Sequence, residues 1–358
     1  MTISPNTLKS LKGKNILVTG STGFKGSWLC TWLAELGAQV SGFALPPKPD
    51  APLFDQLNLR DRINQHDGDI RDYNSINEVI KKTKPEAIIH LAAQALVRHS
   101  YQNPKETFDT NIGGGVNLLE TVRNCSDIRA LVFITSDKCY KNKEWLWGYR
   151  ENDELGGKDP YSASKAGAEN VFEGYNHSFF KENQNIGIVT TRAGNVIGGG
   201  DLSADRIVPD CIRAFRGGEP IEVRNPSATR PWQHVLEPLS GYLTLTARIL
   251  EDPNELTGAW NFGPNTENVR SVQELTELAI NIWGKGSIKS NEDPSAPHES
   301  NLLMLSSDKA KSQLDWNPLW NFERCVTETI DWYQKIDAGR NPLGMTLAHI
   351  SDYVAGSA

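Results

Sequence analysis

The chain has 358 residues, 38% hydrophobic and 23% charged, with a net charge of −7. That balance supplies core material for two lobes and argues against nucleic acid or an anionic membrane as the main partner. The five cysteines are scattered with no CxxC, the seven histidines show no HxH or HExxH spacing, and no apolar run approaches a membrane span of ~18 residues. Residues 1–14 are polar and hold no signal-peptide core, so a reducing cytoplasm, no metal and no membrane are the expectations.

Asn15-Ile16-Leu17-Val18-Thr19 is a short β-rich run followed at once by Gly20-Ser21-Thr22-Gly23-Phe24-Lys25-Gly26. Trp28, Leu29, Trp32, Leu33 and Leu36 then recur at helical spacing. Strand, glycine turn and helix follow in the order of a dinucleotide fold. There the glycines allow close backbone approach and the helix N-terminus meets a pyrophosphate. After the next strand, 39–44, such folds carry an acid for the adenosine ribose; here stands Leu45-Pro46-Pro47-Lys48-Pro49-Asp50. Asp50 either serves there or is an ordinary loop acid, so this position does not decide NAD against NADP.

Gly68-Asp69-Ile70-Arg71-Asp72 opens a third unit before the amphipathic segment 76–82. A fourth strand, 87–91, ends in Ala92-Ala93-Gln94, whose small residues let backbone lie against a dinucleotide; His90, on an apolar strand, reads as a core residue. A helix carrying Asn111, Val116, Leu118, Leu119 and Val122 leads into the fifth strand, 130–134. Five strands alternating with helices predict an α/β fold, a doubly wound parallel Rossmann sheet.

The fifth strand ends in Thr135-Ser136-Asp137-Lys138-Cys139-Tyr140, at the place where open α/β sheets keep their chemistry. Further on, Tyr161-Ser162-Ala163-Ser164-Lys165 puts a tyrosine and a lysine one helical turn apart on one face. A phenol with a pKa of about 10 is a poor base at neutral pH, and an adjacent lysine cation favours its phenolate. Such a pair can take an alcohol proton while a hydride leaves the same carbon. After strand 186–192 the chain runs into Ala193-Gly194-Asn195-Val196, and from about residue 201 turns and prolines become frequent. Arg206, Arg213, Arg216, Arg224 and Arg230 sit in this part, and the guanidinium fork suits phosphate. Residues 1–200 are therefore expected to form the cofactor domain and 201–358 a smaller mixed α/β substrate lobe. The segment 235–265 is interleaved, because Ala259-Trp260-Asn261-Phe262-Gly263 reads as a strand returning to the sheet.

Together these residues resemble the extended short-chain dehydrogenase/reductase family over essentially the whole chain, and within it the nucleotide-sugar 4,6-dehydratases. Thr19–Gly26 is similar to that family's cofactor loop, which implies contacts from Gly20, Thr22, Gly23, Phe24, Lys25 and Gly26. Asp69 and Ile70 look like its adenine-contacting turn, Ala92 and Ala93 its fourth strand end, and Tyr161 with Lys165 its catalytic pair. Arg192–Val196 resembles the segment from which an asparagine, here Asn195, reaches the sugar nucleotide, and 308–318 resembles the C-terminal signature. Most of these dehydratases carry Thr-Asp-Glu where this chain has Ser136-Asp137-Lys138. The lysine is similar to the CDP-D-glucose branch, as are Trp145–Asn152, Gly194–Asp201, Arg230–Val235 and Pro297-His298-Glu299. The Trp145–Asn152 stretch reads equally as an aromatic surface loop packed on the body.

The resemblance implies CDP-D-glucose as substrate, with Asn195, Arg206, Arg230 and His298 binding it and the diphosphate near Arg230. It implies C4 oxidation, loss of water across C5–C6 and hydride return to C6, towards deoxyhexoses and O-antigen sugars. Tyr161 would take the C4 hydroxyl proton with Lys165 beside it, and Lys138 the C5 proton. Asp137 would protonate the leaving hydroxyl and Ser136 hold the C4 oxygen. Lys138 must be neutral to act, which requires burial or the nearby Lys165 charge. The cofactor leaves the cycle as it entered, which with the family favours a persistently bound NAD. The helices at 105–123 and 161–180 are those the family uses to form a homodimer or homotetramer, and their apolar residues could equally be internal core. Three alternatives share the cofactor loop: another nucleotide-sugar 4,6-dehydratase; a nucleotide-sugar 4-epimerase, which needs no Asp-Lys pair; and a non-catalytic dinucleotide-binding scaffold, a kind of protein that usually loses the tyrosine or the lysine, both of which this chain keeps.

Overall fold

The computed structural model describes residues 5–183, 185–290 and 302–356. Seven parallel strands form the central sheet: β1 (Asn15–Thr19), β2 (Gln39–Ala44), β3 (Asn64–Asp67), β4 (Ala87–His90), β5 (Ala130–Ile134), β6 (Gly187–Ala193) and β11 (Gly258–Phe262). Their order is β11-β6-β5-β4-β1-β2-β3, so the winding reverses between β1 and β4. Such a switch point opens a crevice at the carboxyl ends of the strands.

Alternate residues of each strand feed two separate cores, as a period of two demands. Ile16, Val18, Ala87, Ile89, Ala130 and Val132 point to one, while Leu17, Ile88, Leu131 and Phe133 point to the other. The first core is closed by Trp28, Trp32 and Leu33 of the Phe24–Glu35 helix, by the almost wholly buried Leu236–Glu251 helix and by the C-terminal helices Phe322–Asp337 and Pro342–Ala355. The second lies under Ile76 and Ile80, Leu118 and Leu119, and Ala168 and Phe172, from helices Tyr73–Thr83, Gly114–Arg123 and Pro160–Tyr175. The expected doubly wound sheet is present. β11 pairs with β6 in parallel register, Trp260 opposite Thr191.

Beyond residue 200 the described chain is largely helical. Six short strands make three small ladders: β7 (Val196–Ile197) with β10 (Gln233–His234), β8 (Ile221–Val223) with β13 (Ile288–Ser290), and β9 (Thr229–Pro231) with β12 (Val269–Ser271). The helix expected at 105–123 is two helices, Pro104–Phe108 and Gly114–Arg123, joined by a π-helical turn at Asp109–Gly113. The wider turn carries Asn111 inward, where its side chain bonds both the N–H and the C=O of Gln94 and the Ser164 hydroxyl. Among the described residues no helix is long and apolar enough to cross a membrane.

Candidate active site

A cavity of about 1620 Å³ opens at the carboxyl end of the sheet and spans the switch point. Gly20 sits there at φ +72°, and a Cβ on it would lie 2.8 Å from the Ala92 nitrogen. A Cβ on Gly26 would lie 2.0 Å from the Gly20 carbonyl oxygen. Backbone packs on backbone at both points, so only glycine fits. The Thr22 hydroxyl ties the loop to β2 by donating to the Leu45 carbonyl, 2.9 Å away. The following helix has no side-chain cap and no acid in its first turn, which leaves its N-terminal amides for an anion. This wall fits a dinucleotide pyrophosphate. The half-buried Lys25 stands in that turn. Burial and then the Arg206 charge push its pKa down to about 8, while Asp137 and Asp201 oppose the shift.

Asp159 caps the Pro160–Tyr175 helix, accepting from the Ser162 amide at 2.9 Å, and Pro160 starts the first turn. Tyr161 and Lys165 therefore emerge on one buried face, with the Lys165 Nζ 5.9 Å from the tyrosine ring centre. Burial raises the Tyr161 pKa to about 12 against a hydrogen bond with Ser136. Burial lowers Lys165 to about 8, while Cys139 and Glu169 pull it upward. At the end of β5 the Ser136 hydroxyl donates to Asp137 Oδ1 at 2.8 Å. Lys138 Nζ lies 3.6 Å from the same oxygen; the Asp137 side chain is 3% exposed and that of Lys138 31%. Lys165, rather than Lys138, is the buried amine.

All the expected residues within the described chain line this one cavity. They are Gly20, Thr22, Gly23, Phe24, Lys25 and Gly26; Asp69, Ile70, Ala92 and Ala93; Ser136, Asp137 and Lys138; Tyr161 and Lys165; and Asn195, Arg206 and Arg230. His298 lies outside the described residues. Asp69 is held by Arg71, whose Nη2 is 2.6 Å from Oδ2, and that bond keeps its carboxyl below the usual range. Of the remaining arginines Arg224 also faces the cavity, whereas Arg213 and Arg216 pair with Asp210 and Asp337 on the surface. Lys48, not Asp50, lines the cavity beyond β2. His90 is a buried neutral core residue, its Nδ1 2.7 Å from the Thr19 hydroxyl. Trp145 and Tyr149 pack together against the body, with Leu146 and Trp147 exposed between them. Among the described residues one group, Glu328, Asp331 and His349, brings three metal-capable atoms within 4.8 Å of one another. Arg324 and Lys335 pair with its two carboxylates.

Sequence reasoning missed the layer beneath the site. Glu169 and Arg192 form a buried forked pair, with Nε to Oε1 and Nη2 to Oε2 both 2.8 Å. Two signals for it were present: a glutamate one turn beyond Lys165, and a charge at the end of the β-rich run 186–191.

Comparison with known proteins agrees with this architecture. The family model described as GDP-mannose 4,6 dehydratase matches residues 17–329. The CDP-glucose 4,6-dehydratase of Salmonella typhimurium is 44% identical over 97% of this chain and 98% of its own length. Among solved structures, the dTDP-glucose 4,6-dehydratase of Bacillus anthracis in complex with NAD superposes with a TM-score of 0.76 at 23% identity, covering 92% of this chain and 99% of that one. A UDP-glucose 4-epimerase of Stenotrophomonas maltophila with bound NAD gives 0.79 at 21% identity, covering 91% and 100%. These last two likenesses establish the fold, which both reaction types share.

Proposed function

The chain belongs to the GDP-mannose 4,6-dehydratase family, and on that premise we propose that it is an NAD-dependent hydro-lyase converting CDP-D-glucose to CDP-4-dehydro-6-deoxy-D-glucose. The observation that carries the reaction type is the Asp137–Lys138 pair, 3.6 Å apart, in the same cavity as Tyr161 and Lys165. A 4-epimerase needs only the second pair, and a non-catalytic scaffold needs neither. The 44% identity supports cytidine as the nucleotide.

Dehydrating the hexose requires oxidation at C4, which acidifies the C5 proton, then loss of water across C5–C6 and reduction at C6. NAD, when bound, supplies the acceptor and donor of that hydride; Gly20, Gly23, Gly26 and the amides after them would hold its pyrophosphate, with Asp69, Ile70, Ala92 and Ala93 along the rest. Tyr161 takes the C4 hydroxyl proton, and the Lys165 cation stabilises its phenolate. Ser136, already hydrogen-bonded to Tyr161, holds the C4 oxygen. The Lys138–Asp137 pair shares one proton: with that proton on Asp137, Lys138 removes the C5 proton and Asp137 gives its own to the C6 hydroxyl, which leaves as water. As the hydride reaches C6, Lys138 returns its proton to C5, and the proton that Tyr161 took passes by way of Ser136, which stands between them, to Asp137, so each group ends the cycle as it began. Asn195, Arg206 and Arg230 face the sugar nucleotide, the arginines towards its diphosphate.

The same reading places the enzyme in the cytoplasm, supplying deoxyhexoses for O-antigen, as a homodimer or homotetramer. Exposed Phe108 and Phe179, one on each of the two helical segments, support self-association through those segments. The decisive experiment incubates the holoenzyme separately with CDP-glucose, dTDP-glucose and GDP-mannose and weighs each product. Loss of one water from CDP-glucose alone is the expected result. Loss from another nucleotide sugar would overturn the cytidine assignment, and isomerisation without loss of mass would overturn the reaction.

A further inference from the structure

We propose that the buried Glu169–Arg192 pair is a positioning device that keeps the elimination groups, Asp137 and Lys138, in register with the oxidation groups, Tyr161 and Lys165. The inference rests on the dehydratase reading above.

Glu169 lies one turn beyond Lys165 and two beyond Tyr161, so all three project from one face of the helix. Its carboxylate accepts from three residues on two neighbouring strands at once. Arg192 of β6 donates both arms of its guanidinium fork, and Thr190 of β6 donates at 2.9 Å. Thr135, the residue before Ser136, also donates to it. The helix bearing Tyr161 and Lys165 is thus tied, through one carboxylate, to the strand end bearing Ser136, Asp137 and Lys138.

The remaining arm of Arg192 closes the loop between those two groups. Its Nη1 donates to the Tyr140 hydroxyl at 2.7 Å and to the Glu151 carbonyl at 2.9 Å. The Tyr140 hydroxyl donates onward to Asn261 at 2.8 Å, and the Asn261 amide donates to the Tyr149 carbonyl at 2.8 Å. Both ends of the 140–151 loop are therefore pinned to the same guanidinium. Charges this deeply buried contribute little net stability over a well-packed apolar pair. They do impose direction, because a forked guanidinium–carboxylate contact fixes distance and plane together. Chemistry is sensitive to that: a misplacement of about 1 Å at a reacting group costs on the order of 100-fold in rate.

Glu169 also acts on Lys165 through its charge. Lys165 is faced by Tyr161 and Glu169 from its own helix, by Cys139 from the turn after β5, by His90 from β4 and by Lys25 from the glycine loop. Of these, Glu169 is the carboxylate that raises its proton affinity. Neutralising Glu169 makes Lys165 lose its proton at lower pH, so the alkaline fall in kcat moves to lower pH.

The test uses cofactor-loaded enzyme with CDP-glucose, every rate being expressed per NAD-bound molecule. Arg192→Lys keeps the charge but not the fork, Glu169→Gln keeps the shape but not the charge, and Glu169→Met/Arg192→Met replaces the pair by apolar side chains that keep the interior filled. All three are expected to lower kcat, by about 100-fold in the double variant, with KM within twofold. Glu169→Gln should also move the alkaline limb downward, and Glu169→Asp should restore its position. Lower thermal stability with an unchanged kcat per loaded molecule would overturn the proposal and leave the pair a structural one. A wild-type enzyme that fails to dehydrate CDP-glucose would instead refute the parent reading, since the variants are scored only against a working wild type.

Discussion

Three buried histidines make acidification a sharp test of how the interior is built. His90, His234 and His349 are each nearly or wholly inaccessible. Burial lowers His90 to about 3 and His349 to about 4, and drives His234 well below its ordinary value. An unfolded chain protonates these rings near pH 6.5 while the folded one does not, so between these limits the unfolded state binds more protons and stability falls as pH falls. Going from pH 7 to pH 5, each ring costs about 2 kcal/mol and the three together about 6. Glu237 works the other way. Burial raises it to about 7 against hydrogen bonds from the Tyr353 hydroxyl and the Leu319 and Trp320 amides, so the folded state holds its proton where the unfolded one has lost it. Over the same interval it returns about 2 kcal/mol, so these four groups together account for a loss of about 4. With a urea dependence of roughly 3 kcal/mol per molar, the unfolding midpoint should be about 1 M lower at pH 5 than at pH 7. His90→Asn keeps an acceptor for the Thr19 hydroxyl and removes one ring, so its pH-dependent loss should be smaller by about 2 kcal/mol. Equal midpoints at the two pH values, or an undiminished loss in the variant, would refute the assignment.

The site makes further predictions. Lys138→Ala should still bind NAD yet lose dehydration by about 100-fold or more, as for loss of a general base, which product mass measurement reads directly; wild-type turnover would remove Lys138 from the mechanism. Tyr161→Phe should lower kcat by on the order of 100- to 10,000-fold with little change in the affinity for the nucleotide sugar, checked by steady-state kinetics and a binding titration. Gly26→Ala should destabilise the fold by about 1–3 kcal/mol and weaken cofactor retention, because its Cβ would sit 2.0 Å from the Gly20 carbonyl with only backbone to give way. Thermal unfolding and release of nucleotide on denaturation measure the two effects.

Local patterns in the sequence determined much of this protein. Glycines at 20, 23 and 26 between a β run and a helical repeat announce the cofactor wall, since steric limits act within a few residues. Apolar runs such as 130–134 announce strands buried on both faces, because a doubly wound sheet leaves them no polar side. Tyr161 and Lys165 announce a shared helical face through their spacing alone. Other features depended on partners distant in the chain. No local rule joins Glu169 to Thr135, Thr190 and Arg192, or Arg192 to the 140–151 loop; these contacts exist because β5 and β6 lie side by side under the helix. Replacement of the continuous helix at 105–123 by one with a π turn was set in the same way, by Asn111 reaching Gln94 and Ser164. A sequence carries the propensities and periodicities of its elements, but the pairing of buried polar groups is decided only once packing removes water and leaves each donor to find its acceptor.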